Sequence, residues 1–203
     1  YQNKSDSAFV EELQQLYGDF YLIPEGGTNA LAIKGCEEIL TETDKAYFTH
    51  VCCAMGTAGT ISGIINSSNE KQQIIGFSSL KGDFLSDVIR NFATKDNWNT
   101  YCDNIFGGYG KVSDPLIQFL NEFYRNTTIP LDPVYTGKMM YRILDLIAQD
   151  YFAPNAKILA IHTGGLQGIQ GMNKVLNKKH KQTIVKKKKK NRPSTSSYIR
   201  NEL

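Results

Sequence analysis

Short apolar runs alternate with segments of helical period from Phe20 to about Lys178. This alternation is typical of an α/β fold, in which helices connect the strands of a parallel sheet. Each run is rich in Val, Ile, Leu or aromatic residues and is bounded by Gly, Pro or polar residues, which predicts strands covered on both faces. The predicted strands cover residues 20–23, 48–54, 72–77 and 156–162.

Helix start signals lie between these predicted strands. Asn29 or Thr28 is suited to cap a helix that runs to about Leu40, and Ser113 followed by Asp-Pro marks the start of another. A further helix follows Tyr135. The residues of this helix that are expected to share one apolar face are Met139, Ile143, Leu144 and Ile147.

The chain opens with Tyr1 rather than Met, and residues 1–16 already have the pattern of a helix. We therefore expect that further sequence precedes Tyr1. No apolar run approaches the roughly 18 residues that a membrane-spanning helix needs, and no charged and then apolar leader opens the chain. These features predict a soluble, cytoplasmic protein with no membrane partner.

The four cysteines lack the spacing of a metal site, so no metal is expected. Cys52 and Cys53 are adjacent in an apolar run that predicts a buried strand. Reduced thiols that pack as small hydrophobic groups are the favoured interpretation over disulfides, and they suit a cytosolic protein.

The net charge of +3 hides an uneven distribution. From Lys174 onward the chain holds 11 of its 23 Lys and Arg residues and one acid, Glu202, which leaves 12 basic and 19 acidic residues, or −7, before that point. Such a body is a poor binder of nucleic acid. We predict a basic disordered tail over residues 179–203 after a folded part over 1–178. The lysine run at 186–190 leaves open a nucleic-acid or nuclear-localisation patch, or a tail produced by a reading-frame slip in an adenine-rich tract.

A glycine-rich turn over residues 52–64 is the most informative local feature. Here a predicted buried strand runs into Met-Gly-Thr-Ala-Gly-Thr and then into a helical pattern. This order gathers several backbone N–H groups and the hydroxyls of Thr57 and Thr60 around one point, which suits a phosphate at a helix start. The turn is neither a Walker loop nor a strict GxGxxG, so an ordinary strand-to-helix turn stays open as the alternative.

Three more turns are expected at the same place. Paired glycines follow the first and last predicted strands at residues 24–32 and 161–173, and residues 133–140 bring an aromatic side chain and a hydroxyl to a helix start. Because ligands bind at the carboxyl edge of an open parallel sheet, these turns predict one crowded site.

Four strings in order, IPEGGTN, GTAGTISG, LDPVYTGKMM and ILAIHTGG, resemble the aminocyclopropane-carboxylate deaminase and D-cysteine desulfhydrase family. The resemblance covers about Phe9 to Lys178. It implies the large domain of fold type II pyridoxal-phosphate enzymes, a three-layer α/β fold with an open, twisted, mostly parallel sheet and helices on both faces. It also implies pyridoxal 5'-phosphate as cofactor, a small amino acid as substrate and a homodimer for the full-length protein.

The resemblance places roles on matching residues. It implies that Tyr135 acts catalytically beside the cofactor, in proton transfer and substrate contact, and that Tyr109 of the FGGYGK string is a second active-site tyrosine. Thr163 and Gly164 match the place beside the pyridine nitrogen, and Thr136 is a further cofactor contact. The residues expected around the cofactor phosphate are Gly56, Thr57, Ala58, Gly59 and Thr60.

The resemblance also bears on the substrate. A neutral hydroxyl at Thr163 does not hold the pyridine nitrogen protonated, which favours elimination of a good leaving group. The ring-opening deaminases resemble YEGK where this chain has Thr136. We therefore expect D-cysteine desulfhydrase-like α,β-elimination to pyruvate, ammonia and sulfide. Aminocyclopropane-carboxylate deamination, a non-catalytic phosphate-binding module and a purely capping role for Thr136 stay open.

The family's GNK-type string with the Schiff-base lysine and its SNH-type loop do not occur in these 203 residues. We expect both upstream of Tyr1, so the chain alone is expected to bind cofactor weakly and to be inactive. Lys138 and Lys34 lie in motifs where the family does not place this lysine. His162 is interpreted as a hydrogen-bonded residue near the core, and Glu25 either as a solvated turn residue or as one that faces the site.

Overall fold

The computed structural model describes residues 6–80 and 82–185. These residues contain a four-stranded, entirely parallel sheet with the strand order β3-β2-β1-β4. Val51 of the central strand lies opposite Ile74 on one side and Leu159 on the other. The strands are β1 His50–Met55, β2 Gln73–Ser78, β3 Trp98–Tyr101 and β4 Ile158–Ile161.

Helices connect the strands, as expected for parallel pairing. Two short 3₁₀ turns cover Glu25–Gly27 and Ile105–Gly107. The α-helices of the described residues are α1 Ser7–Tyr17, α2 Ala30–Cys36, α3 Glu42–Tyr47, α4 Gly59–Ser67, α5 Phe84–Phe92, α6 Asp114–Thr127, α7 Thr136–Ala148 and α8 Gly168–Lys178.

The two faces of β1 pack against different helices because successive side chains of a strand alternate in direction. Val51 and Cys53 join a core cluster with Ile61 and Ile64 of α4, whereas Cys52 packs in a separate cluster with Met139 of α7. Helices therefore cover both faces of the sheet. The predicted three-layer α/β fold is confirmed.

Three of the four predicted strands are present, and one is not. Residues 20–23 form no strand, and Tyr21 and Ile23 are 69% and 70% exposed. An apolar run becomes a strand only where a neighbouring strand takes up its backbone hydrogen bonds. Strand β3 was not predicted, because its four residues combine one aromatic pair with polar Asn99 and Thr100 at the edge of the sheet.

The predicted caps of α2 and α6 are borne out to different degrees. The Asn29 side chain accepts a hydrogen bond from the Ala32 N–H at 2.9 Å, but α2 ends at Cys36 rather than near Leu40. Helix α6 begins directly after Ser113 as expected, although the Ser113 hydroxyl makes no capping hydrogen bond.

The buried face of α7 differs from the predicted one. Met139 and Ile143 are buried as expected, together with Met140 and Leu146. The other two predicted members, Leu144 and Ile147, are 38% and 44% exposed. The prediction placed the apolar face too far toward Leu144 and Ile147. The buried residues from Met139 to Leu146 are three or four positions apart and so lie on one side of the helix.

Part of the predicted tail packs on the folded body. Ile184 is buried beside α6 and α8, and the Asn173 side chain bonds both to its N–H and to its carbonyl. Residues 186–203, with the lysine run, lie outside the described residues, so the prediction of a disordered tail there stays a prediction. Within residues 6–80 and 82–185, no helix is long and apolar enough to cross a bilayer.

The cysteines of the described residues are free thiols, as predicted. Cys52 and Cys53 are fully buried in the central strand. Burial raises the pKa of both thiols, that of Cys53 to about 12, so they remain protonated and behave as small apolar groups.

Candidate active site

A cavity of about 180 Å³ lies at the carboxyl end of β1, where the chain turns into α4. It brings together three of the four predicted turns at one edge of the sheet. The residues that line it are Ala54, Met55, Gly56, Thr57, Ala58, Gly59, Thr60, Ile61, Tyr135 and Thr163.

The turn from β1 to α4 forms a cradle, which we define as Gly56 to Thr60. Ala58 precedes the helix in the left-handed conformation, with φ of 64° and ψ of 0°. An alanine has no side-chain acceptor, so it cannot take up the N–H groups of the first helical turn. These donors and the positive end of the helix dipole lie at the cavity, where they suit an anion.

The predicted turn at residues 24–32 docks on this cradle. The hydroxyls of Thr28 and Thr57 are 2.6 Å apart, and a Cβ placed on Gly59 would lie 2.8 Å from the Thr28 hydroxyl oxygen. In such a hydroxyl pair one group donates and the other keeps a proton for a further acceptor. Gly26, with φ of +67°, packs against the Thr57 side chain. Sequence reasoning brought the turn to this edge but considered Thr28 only as a possible helix cap.

Tyr135 lines the cavity beside the cradle. A Cβ on Gly56 would lie 3.4 Å from the Tyr135 hydroxyl, so glycine at this position allows close approach of the ring. The Tyr135 and Tyr109 rings meet edge to face with centroids 5.9 Å apart. Burial, a hydrogen bond with Tyr109 and the charge of Asp132 raise the pKa of Tyr135 to about 12. The phenol therefore keeps its proton at neutral pH.

Asp132 is a residue of this region that sequence reasoning missed. It is 2% exposed, and its carboxylate accepts hydrogen bonds from the N–H groups of Val134, Tyr135 and Thr136, each at 2.8 Å. The Thr136 hydroxyl donates to the same carboxylate at 2.5 Å and accepts from the Asp132 N–H at 3.0 Å. Asp132 thus accepts from the first N–H of α7 and fixes the backbone that carries Tyr135.

Thr136 was predicted as a cofactor contact. The structure places it 1% exposed, with its hydroxyl engaged by Asp132, and it is absent from the residues that line the cavity. The Thr136 hydroxyl does not cap α7 either, because both of its hydrogen bonds go to Asp132, which lies before the helix.

The two lysines singled out in the sequence do not line the cavity. Lys138 is 3% exposed, and its Nζ donates to the carbonyl of Gly108. Burial lowers the pKa of Lys138, and the charge of Asp132 opposes this effect. Lys34 lies on the exposed side of α2.

Thr163 lines the cavity from the side of β4, and Gly164 follows it with φ of +99°. His162 fixes this turn, since its Nδ1 accepts from the Gly164 N–H at 3.1 Å while its Nε2 lies 2.9 Å from the Pro130 carbonyl. Nδ1 is an acceptor here, so Nε2 carries the proton and donates to Pro130. The histidine is structural, as predicted, and it joins the turn to the segment before Tyr135.

Comparisons with known proteins give relatives over most of the chain. No protein-family model matches it. A Pyrococcus horikoshii protein named as a 1-aminocyclopropane-1-carboxylate deaminase is 30% identical over 177 residues, which cover 78% of this chain and 53% of that protein. The bifunctional D-cysteine desulfhydrase/1-aminocyclopropane-1-carboxylate deaminase of Arabidopsis thaliana, a mitochondrial protein by its name, is 30% identical over 185 residues, which cover 80% and 46%.

A solved structure of a 1-aminocyclopropane-1-carboxylate deaminase homologue matches with a TM-score of 0.69 and 27% identity, over 86% of this chain and 58% of that one. The α/β fold is that of fold type II pyridoxal-phosphate enzymes. The chain belongs to the aminocyclopropane-carboxylate deaminase and D-cysteine desulfhydrase family. It spans about half the length of the curated relatives that it matches.

Proposed function

We propose that the complete protein is a pyridoxal-phosphate lyase that carries out α,β-elimination on a D-amino acid such as D-cysteine, with pyruvate, ammonia and sulfide as products. The single observation that carries this proposal is the cavity in which the glycine cradle, Tyr135 and Thr163 meet. A phosphate cradle beside a protonated phenol and a neutral hydroxyl suits a phosphorylated aromatic cofactor and an amino-acid substrate.

The residues of the cavity fit this cofactor. The N–H groups of the cradle at the start of α4 are available for the phosphate, because Ala58 offers no competing side-chain acceptor. Thr163 would hold the pyridine nitrogen through a neutral hydroxyl. When bound, pyridoxal phosphate supplies an electron sink for the bonds at the substrate Cα.

The proposed role of Tyr135 follows from its protonation. Its raised pKa keeps the proton on the hydroxyl oxygen at neutral pH, so the phenol donates a hydrogen bond to the substrate or its leaving group. Tyr109 orients this hydroxyl through the edge-to-face contact.

The substrate class is proposed from Thr136 and Thr163. Neither adds a carboxylate to the cavity, and the Thr136 hydroxyl is already bonded to Asp132. A site without a carboxylate beside the pyridine nitrogen favours elimination of a good leaving group over more demanding carbanion chemistry. The name of the Pyrococcus relative favours 1-aminocyclopropane-1-carboxylate deamination as the second candidate.

We further propose that the 203-residue chain is inactive by itself, because no lysine lines the cavity among the residues that the structure describes. Without a lysine to link the cofactor, the chain would retain only part of the site. A cytoplasmic homodimer is proposed for the complete protein.

The test compares this chain with a version extended by the sequence encoded upstream of Tyr1. The extended protein is expected to release sulfide and pyruvate from D-cysteine and little 2-oxobutanoate from the cyclic substrate, whereas the 203-residue chain releases neither. Tyr135→Phe in the extended protein is expected to lower kcat by about 10²-fold or more, the usual contribution of a general acid.

Two results would contradict the proposal. Faster 2-oxobutanoate formation than sulfide release would favour the deaminase, and an extended protein without either product would reject the lyase. Absorbance of lysine-bound cofactor in the 203-residue chain, lost in Lys138→Met or Lys34→Met, would overturn its proposed inactivity.

A further inference from the structure

We propose that Asp132 and Lys138, two buried residues of opposite charge outside the cavity, are positioning residues that hold Tyr135 and Tyr109 in contact. The importance of this tyrosine pair for catalysis rests on the proposed function. The positioning itself rests on the contacts of the two charged groups, and these are measurable without cofactor.

Asp132 fixes the Tyr135 side of the pair. Its carboxylate receives four hydrogen bonds, and one of them comes from the Tyr135 N–H itself. A Cβ on Gly165 would lie 3.2 Å from the Asp132 Cγ, so the turn that carries Thr163 rests against the same carboxylate. One buried side chain therefore sets the backbone of both the tyrosine segment and the opposite wall of the cavity.

Lys138 fixes the Tyr109 side of the pair. Its buried Nζ reaches 30 residues back along the chain and donates to the carbonyl of Gly108, the residue before Tyr109. Tyr109 is 56% exposed, and Gly108 has φ of +87° in an irregular loop. An exposed loop tyrosine loses side-chain and backbone entropy when it is held in one place. The anchor at Gly108 offsets this loss.

The position of Lys138 is electrostatically unfavourable without Asp132. Lys138 lies in the first turn of α7, at the positive end of the helix dipole, and burial removes water from its charge. Burial lowers the pKa of Lys138, and the charge of Asp132 acts against this effect and so favours the charged form next to the Gly108 carbonyl. The two residues therefore act together, although each fixes a different tyrosine.

The experiment follows the tyrosines of the 203-residue chain by NMR, with 13C at Cζ and with Tyr135→Phe and Tyr109→Phe to assign the two signals. In the parent chain the Tyr135 signal is expected to titrate with a pKa of about 12, and nuclear Overhauser contacts are expected between the two rings. In Lys138→Met and in Asp132→Asn, the ring contacts are expected to disappear and the pKa of Tyr135 to fall toward the ordinary value of about 10.

Two exposed residues give matched controls, Lys34→Met on α2 and Asp87→Asn on α5. Both controls are expected to leave the Tyr135 signal and the ring contacts unchanged. If Asp132→Asn does not fold, as judged by circular dichroism, Lys138→Met decides the test. Unchanged ring contacts and an unchanged Tyr135 titration in folded Lys138→Met would overturn the inference. A chain that shows the positioning but does not bind pyridoxal phosphate would count against the proposed function alone.

Discussion

Helices α4 and α7 both begin at the site, yet their first turns are used in opposite ways. Before α4 stands Ala58, which has no side-chain acceptor for the helical N–H groups. Before α7 the Asp132 carboxylate takes up three successive N–H groups. A helix start needs an acceptor. At α7 Asp132 supplies it, and at α4 no side chain caps the helix.

We expect the start of α4 to matter for ligand binding and the start of α7 to matter for the stability of the fold. The hydrogen bonds of Asp132 before α7 are expected to stabilise the fold and to fix Tyr135, so their loss should appear mainly in the free energy of unfolding. The start of α4 has no side-chain cap and, under the proposed function, holds the cofactor phosphate, so changes there are expected to appear mainly in affinity.

The largest expected effect distinguishes the two helix starts directly. Thr136→Val removes a buried hydroxyl that donates to the Asp132 carboxylate and accepts from the Asp132 N–H. We expect the free energy of unfolding to fall by about 1–3 kcal/mol. Thr60→Val is the matched change at α4, where the side chain lines the cavity, and about 0.5 kcal/mol or less is expected. Urea unfolding of both variants measures the difference. Equal losses would remove the distinction between the two helix starts.

The next effect concerns affinity at α4. In Gly59→Ala the new Cβ would lie 2.8 Å from the Thr28 hydroxyl oxygen, so the docked turn must move away from the cradle. We expect the affinity for pyridoxal phosphate to fall about tenfold, or about 1.4 kcal/mol. Fluorescence titration of the 203-residue chain measures this affinity. Gly171→Ala in α8, where nothing lies within 4 Å of the new Cβ, is the control that should leave affinity unchanged.

The smallest effect sharpens the comparison at Ala58. Its left-handed conformation is unfavourable for a residue with a Cβ, so Ala58→Gly is expected to raise the free energy of unfolding by about 0.5 kcal/mol after the entropy of the unfolded glycine is counted. Thermal unfolding measures this gain. Thr128→Gly after α6, where φ is 61°, is the matched change away from the cavity. A loss of stability in Ala58→Gly alone would show that the alanine methyl group packs favourably at the cradle.

The sequence contains enough information for the three apolar strands and for the cradle. Strands β1, β2 and β4 are mainly apolar runs. The glycines after β1 indicate a turn whose backbone other groups approach closely. The failures have physical causes. Residues 20–23 are as apolar as a strand but lack a pairing partner, and β3 has only four residues, of which two are polar.

The supporting residues of the site were predicted less well than the residues that line it. Asp132 has a local signal, an acidic residue four positions before Thr136, but it precedes a proline and is equally typical of a turn. Lys138 has no local signal, because its partner Gly108 lies 30 residues away. The periodicity of apolar residues indicates which side of a helix is buried. It does not indicate which distant carbonyl group accepts a hydrogen bond from a buried lysine.

The strand order of the sheet has a consequence for how the protein comes to be folded during synthesis. Strand β1 pairs with β4, and the backbone contact between Thr49 and Lys157 at the start of this pair spans 108 residues. Closing so long a loop is entropically costly, and such nonlocal pairing slows folding. On the ribosome β1 would emerge well before β4 exists, with Val51 and Cys53 able to pack on α4 while one edge of the central strand waits unpaired. The nascent chain therefore depends on late completion of its sheet, which makes the interval before β4 emerges the period of greatest exposure to aggregation.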